Sequence, residues 1–366
     1  MRIGLVVPGG VSRAGRYRVI PALLWLIERL ARHHDVQVVV PRQEPEPDAW
    51  ELHGATVHNV GSGPPRLGAV RTLLRLHRTA SFDLFHAFWA RGPGEVAMVA
   101  ASLCRRPFLV HVAGGELVWM PRVPFGTRWP WRRALARTVV RRADRVTAAS
   151  RTMLDSIAGV GARPLRVPLG VDIGVWTPEP PRPRRPGHPA RLVHVGSLTP
   201  IKDHRTLLRA VAVVARSGQR VHVDLIGEDT SDRAVQREAA SLGLEDLVEF
   251  HGYLPQDEAV HVVRSADLML VTSRHEAGPV AMLEAAAVGV PTVGTAVGHV
   301  ADWAPDRASA VKVGDAESLA SAITELLGDD ERRLGIARRA QAAAVREDAD
   351  WTAARFDDLY AEAVGK

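Results

Sequence analysis

The feature that most restricts the fold is an alternation of short apolar runs with helix-period segments, and it occurs in two successive blocks. In the first, residues 3–7, 36–40, 83–87, 108–112 and 145–149 read as strands, with helices over 17–32, 67–78, 94–103 and 132–142. In the second, strands fall at 191–195, 221–226, 266–271 and 291–295, with helices at 205–217, 280–287, 318–327 and 331–345 and a last one at 351–364. A further strand–helix unit contains Phe250, and the stretch at Gly298-His299 reads as a loop. A strand that is followed each time by a helix returns parallel to its neighbour through a crossover. The expectation is therefore α/β, with two Rossmann-like parallel-sheet domains. Their boundaries are expected at residues 1–172 and 191–350, joined by a Pro/Arg-rich linker at 173–190, with residues 351–366 as a terminal helix. A chain of 366 residues exceeds the size at which one core keeps growing, which agrees with two domains.

Within the second block, residues 266–271 form an apolar strand, Gly278-Pro279 breaks the pattern, and a helix follows from Val280. Glu276 lies in the turn and Glu284 inside the helix. Unpaired N–H groups at a helix start favour an anion such as phosphate, and a carboxylate further along can accept two hydrogen bonds from a vicinal diol. That is the chemistry of holding a nucleotide sugar.

Composition narrows the surroundings. The single cysteine, Cys104, excludes an intrachain disulfide and fits a reducing compartment. No apolar run approaches the length of a membrane span, and the apolar start at residues 3–7 is too short for a signal segment, so a cytoplasmic protein is expected. The net charge is +6, but the arginines are dispersed and no nucleic-acid recognition module is present, so no nucleic-acid partner is expected. Only Lys202, Lys312 and Lys366 are lysines. None of the 15 histidines shows metal-ligand spacing with cysteine or carboxylate, and Asp348-Ala349-Asp350 lies before the last helix, away from the other motifs.

Five motifs in order resemble the retaining glycosyltransferases of family 4, over nearly the whole chain. They are Asp83-Leu84-Phe85-His86; Pro168-Leu169-Gly170-Val171-Asp172 with Trp176 and Pro178; Val195-Gly196-Ser197-Leu198-Thr199-Pro200-Ile201-Lys202-Asp203, similar to the family's phosphate-binding segment; Phe250-His251-Gly252-Tyr253; and the Glu276/Glu284 pair. The resemblance implies a GT-B architecture, two domains facing across a cleft, with the last helix crossing back to the first. It further implies transfer of a hexose, with retention, from a nucleoside diphosphate sugar to a glycan, lipid-linked or small-molecule hydroxyl, without a bound metal. Lys202 is then the catalytic cation at the leaving diphosphate, and Glu276 meets the donor sugar. Gly9, Gly10, Ser197, Ala277, Gly278, Pro279, Val280 and Glu284 complete the donor site. Relatives often carry arginine where this chain has Ser197, so Arg205 or Arg274 is the expected substitute.

On the acceptor side the resemblance points to Glu116 and to a histidine. That histidine is either His111, through a shifted turn, or has no counterpart, because Ala113 occupies the usual position and His111 is a packed strand residue. Trp119, Phe125, Trp129, Trp131, Arg132 and Arg133 combine aromatic and basic character, which suits an anionic membrane surface or a lipid-linked acceptor. Two other readings stay open: a nucleotide-sugar epimerase of the same fold, and a non-catalytic basic protein that binds membrane or nucleic acid.

Overall fold

The computed structural model describes residues 1–365 and divides into two compact units, Met1–Gly170 with the chain from Ala349 onward, and Val171–Asp348.

The first unit is built on strands β1 (Arg2–Val6), β2 (Asp35–Val40), β3 (Asp48–Leu52), β4 (Ala55–Asn59), β5 (Leu84–Phe88), β6 (Phe108–Val112), β9 (Arg145–Ala148) and β10 (Leu165–Arg166), in the spatial order β10-β9-β6-β5-β1-β2-β4-β3. A separate two-stranded ribbon pairs β7 (Trp119–Met120) with β8 (Phe125–Gly126). The helices are α1 (Pro21–Ala31), α2 (Pro65–Thr79), α3 (Pro93–Cys104), α4 (Pro130–Arg142) and α5 (Arg151–Ala158). Four of them begin at a proline, whose missing N–H costs nothing in the first turn. This corrects the expected start of α1: residues 17–20 stay outside the helix, and Val19 bridges to Val11 before Pro21 opens it.

All pairs in this sheet are parallel except β3–β4, a hairpin that the sequence reading did not anticipate. Its turn residues His53 and Gly54 have φ of 51° and 82°, the positive pair that a two-residue hairpin turn requires. Trp50, Leu52, Ala55 and Val57 face the core from it.

Helix α13 (Ala349–Val364) completes the first unit. Its Phe356, Leu359, Tyr360 and Ala363 join Leu23, Ile27, Leu84 and Phe88 in one apolar cluster. The Tyr360 hydroxyl lies 2.7 Å from His86 Nδ1, both groups fully buried, and Asp350 receives the buried Arg29 guanidinium at 2.9 Å.

In the second unit β11 (Ala190–Val195), β12 (Val221–Ile226), β13 (Val248–Gly252), β14 (Leu268–Val271), β15 (Thr292–Thr295) and β16 (Ser309–Val311) form an all-parallel sheet ordered β13-β12-β11-β14-β15-β16. Around it lie α6 (His204–Arg216), α7 (Ala234–Ser241), α8 (Gln256–Ser265), α9 (Val280–Ala287), α10 (Gly298–Trp303), α11 (Ala316–Gly328) and α12 (Asp330–Arg346). Residues expected to form a loop at Gly298-His299 instead open α10, which buries Val300 and Trp303. The Pro/Arg-rich stretch is not a loose tether: Arg184 donates to Leu327 O, and buried Arg333 donates to Arg182 O and pairs with Asp330, strapping the segment onto this unit.

Each sheet reverses its strand order once, between β1 and β5 and between β11 and β14. In open α/β sheets the crevice at the carboxyl ends of such strands is where a ligand enters.

Candidate donor site

At the second switch point, β11 runs into Gly196 and a single 3-10 turn (Pro200–Lys202), while β14 runs into Thr272-Ser273-Arg274-His275-Glu276. The two loops are stitched together. The Arg274 N–H donates to Ile201 O (2.8 Å) and the Thr272 hydroxyl to Lys202 O (2.8 Å). Asp203, in the left-handed region with φ 51°, accepts from the Thr206 hydroxyl at 2.8 Å and pairs with Arg274 at 2.9 Å.

This stitching sets Lys202 Nζ 2.6 Å from Glu276 Oε1, and the buried Ser273 hydroxyl donates to the same oxygen, also at 2.6 Å. Ser273 is itself held by Thr295, whose hydroxyl donates to Ser273 O at 2.6 Å. One oxygen of Glu276 is thus committed, and the second has no partner among the described residues. Gly298 approaches Glu276 so closely that a Cβ there would lie 3.0 Å from Glu276 Cβ, and with its φ of 49° any other residue would be strained and would press on Glu276.

Ala277, Gly278 and Pro279 carry the chain into α9, where Val280 is the first helical residue and Glu284 lies inside the helix. Glu284 is 7% exposed, and its carboxyl has no hydrogen-bond or ion-pair partner among the described residues. Burial pushes its carboxyl up to about 8. A desolvated carboxyl without a protein partner costs stability unless something else uses it. Beneath Lys202, the rings of His194 and His204 meet edge to face at 4.8 Å, and burial lowers them to about 4 and about 2, so both are neutral packing residues at physiological pH.

Ser197 is exposed at the mouth of the first loop. Of the two arginines expected to stand in for the missing cation, Arg274 lies against the Lys202 turn through Asp203, whereas Arg205 turns to Glu238 on α7 (3.3 Å). Ser273, Thr295 and Thr206 were not anticipated as parts of the site, and Asp203 was read only as the end of the phosphate-binding segment. A hydroxyl three residues before Glu276 was the only signal available for Ser273.

In the first unit, Gly9 and Gly10 follow β1 at its switch point. Gly10 has φ 78°, and a Cβ on it would strike Ile20 at 2.5 Å, so a requirement for glycine there already follows from packing. Glu116 is buried and caps two loops, accepting from the N–H groups of Ala90 (3.2 Å) and Ala113 (3.3 Å). Burial raises its carboxyl, and these backbone donors partly offset the rise. His111 sits inside β6, 0% exposed, with Nδ1 2.9 Å from the Thr147 hydroxyl, and burial lowers it to about 3. That is the geometry of a packed strand histidine. Trp129 (51%) and Trp131 (59%) are exposed, and Arg128 and Arg132 lie over their rings at 5.2 and 5.0 Å. Arg133 instead turns inward to Thr127 O (2.7 Å), and Trp119 and Phe125 are half-buried in the small ribbon.

Comparison with known proteins agrees with this arrangement. Residues 178–343 match the family described as glycosyl transferases group 1, and residues 19–170 match the glycosyl transferase 4-like domain. A D-inositol 3-phosphate glycosyltransferase of Salinispora arenicola is 31% identical over 77% of this chain and 69% of its own. One from Thermobispora bispora is 28% identical over 87% of this chain and 83% of its own. The crystal structure of HepE from Anabaena in complex with UDP and glucose superposes with a TM-score of 0.76 at 20% identity, covering 99% of this chain and all of that one. The order of both sheets, the paired glutamates behind β14 and the matches along both halves together assign the chain to the group 1, family 4-like glycosyltransferases of GT-B fold, enzymes that use nucleotide sugar donors.

Proposed function

We propose that the protein is a retaining hexosyltransferase whose second unit binds a nucleoside diphosphate sugar through Lys202, Glu276 and Glu284. The observation that carries this reading is the shared oxygen of Glu276. Lys202 and Glu276 pair at 2.6 Å, so each is positioned and available for exchange. A donor's diphosphate takes the ammonium, and the freed carboxylate meets sugar hydroxyls. Lys202 then offsets the charge that develops on the leaving diphosphate. Arg274 supplies the further positive charge where relatives have arginine in place of Ser197. Glu284, held without a protein partner, accepts the ribose hydroxyls. No enzyme nucleophile is needed for front-face displacement, in which the leaving phosphate oxygen takes the acceptor proton, and no metal is needed because Lys202 carries the charge.

The HepE complex supports a uridine donor. The curated relatives, named for D-inositol 3-phosphate, support a phosphorylated polyol or another hydroxyl acceptor. For a lipid-linked acceptor, the exposed Trp129 and Trp131 with their stacked arginines support contact with an anionic membrane surface. No helix among the described residues is long and apolar enough to cross a membrane, so such contact is peripheral.

The test is nucleoside diphosphate release from a panel of UDP-, GDP- and ADP-sugars, with and without inositol phosphates and mixed acceptors. Release with one donor that collapses in Glu284→Ala is expected. Donor epimerisation without release would replace the transferase reading, and no binding of any donor at millimolar concentration would overturn both.

A further inference from the structure

At the end of the second sheet opposite the donor loops, a cavity of about 560 Å³ opens beside the starts of the strands. Arg191 lines it from the second position of β11, His222 from the second position of β12, and Asp267 from the residue before β14. Lys202 and Glu276, by contrast, follow the carboxyl ends of β11 and β14. The Pro/Arg-rich strap forms one wall, and the last turn of α8, with Arg264, another. Its volume falls in the range of small-molecule sites, roughly 300–1,000 Å³.

The charge of this cavity is one-sided. Six arginines line it, Arg182, Arg184, Arg185, Arg191, Arg264 and Arg333, against two carboxylates, Glu249 and Asp267. Both carboxylates are engaged: Glu249 lies 3.5 Å from His222 Nε2 and 3.7 Å from His251 Nδ1, and Asp267 accepts the Arg191 backbone N–H at 2.8 Å. Arg191, Arg264 and Arg333 have counter-charges in Asp224 (2.9 Å), Glu179 (2.9 Å) and Asp330 (2.8 Å). The guanidinium groups of Arg182, Arg184 and Arg185 have no ion-pair partner among the described residues. Arg182 and Arg184 donate to the backbone carbonyls of Arg264 and Leu327, which fixes these cations without neutralising them. In addition, the Nε atoms of Arg184, Arg191 and Arg264 are buried and make no hydrogen bond among the described residues. Buried donors left unpaired are unfavourable, and an acceptor from outside the chain would satisfy them.

We infer that the cavity binds a small anion carrying two or more phosphate groups, with Arg182, Arg184 and Arg185 supplying the uncompensated charge and Arg191 and Arg264 further donors. Guanidinium forks match phosphate oxygens bidentately, and three neighbouring cations without counter-charge suit an oligophosphate better than a single carboxylate. The bound anion ties the strap to the start of β11 and the end of α8, and so stabilises the second unit. No group of the donor site takes part.

The experiment uses the full chain at low ionic strength, as the parent and as Lys202→Ala, which disables the donor loops. Inorganic tripolyphosphate is titrated by calorimetry, and thermal unfolding is followed with and without it. Expected are a saturable site present in both proteins and an unfolding midpoint that rises with tripolyphosphate concentration. Arg184→Gln combined with Arg185→Gln should weaken binding about ten- to hundredfold, as the loss of charge-assisted hydrogen bonds predicts. Circular dichroism checks that the double variant folds, and Arg185→Glu, a single change on an exposed side chain, should weaken binding in the same direction. ATP, titrated beside tripolyphosphate in Lys202→Ala, distinguishes the sources of the phosphates. Tighter binding of ATP assigns the site to a nucleotide, and equal or weaker binding to the phosphate chain itself. The absence of saturable binding would overturn the site, as would binding that is lost in Lys202→Ala or unchanged in Arg185→Glu and the folded double variant. An equal rise in midpoint with sulfate at matched ionic strength would reduce the effect to screening and overturn it too.

Discussion

Ser273 Oγ and Lys202 Nζ both reach the same atom, Glu276 Oε1, at 2.6 Å. The serine is wholly buried, whereas the lysine side chain is partly exposed. Glu276 therefore has one permanent tie and one exchangeable tie. Ser273→Ala should leave the fold and the affinity for free nucleoside diphosphate unchanged, while donor kcat/KM falls about ten- to hundredfold, as expected when a charge-assisted hydrogen bond worth about 1.5–3 kcal/mol is lost. Inhibition by the nucleoside diphosphate, measured beside turnover, separates positioning from binding. Ser273→Thr should recover part of the rate.

Lys202→Ala removes the cation that the proposed function sets at the leaving group. Turnover should drop about a hundredfold, equivalent to about 3 kcal/mol of transition-state stabilisation. A change in donor KM alone, with kcat intact, would assign Lys202 to binding only.

Glu284 titrates in an accessible range, with burial pushing its carboxyl from 4.5 up to about 8. A diol donates hydrogen bonds best to the charged form, so donor affinity should rise with pH toward about 8 and level off above it. In Glu284→Gln the affinity should be weaker, and this rise should be absent. Stability has the opposite sign. The folded chain binds this proton more tightly than the unfolded chain does, so the contribution is complete below 4.5 and is lost as pH rises through about 8. Thermal midpoints of the parent and the Gln variant across that window check both signs.

Tyr360→Phe deletes the hydroxyl that pairs with His86 Nδ1 in the core of the first unit. A buried polar group left without a partner costs about 1–3 kcal/mol, which urea unfolding should resolve. Donor binding by the second unit should be unchanged.

Trp129→Ala with Trp131→Ala should reduce sedimentation with vesicles that contain anionic lipid, and leave transfer to a water-soluble acceptor intact. Equal vesicle binding by parent and variant would remove the membrane contact from the functional reading.

The alternation of apolar strands and helices and the strand–turn–helix around Glu276 and Glu284 were legible in the sequence. Both are local: period, turn chemistry and spacing act within a dozen residues or so. The β3–β4 hairpin escaped because its turn, His53-Gly54, has glycine in only one of two positive-φ positions. The helix at Gly298 escaped because it is short and depends on burial of Val300 and Trp303.

By itself, the sequence determined two parallel-sheet units and which residue types line the loops that end their strands. Only the tertiary structure decided which of those residues meet. Lys202 and Glu276 are 74 residues apart and touch because β11 and β14 are neighbours in the sheet. His222 and Glu249 converge because β12 and β13 pair in one particular register. Glu284 and His111 are chemically ordinary until burial shifts them in opposite directions, since desolvation penalises whichever form carries charge. Pairing and burial are properties of packed surfaces, and the linear pattern constrains those surfaces without specifying their contacts.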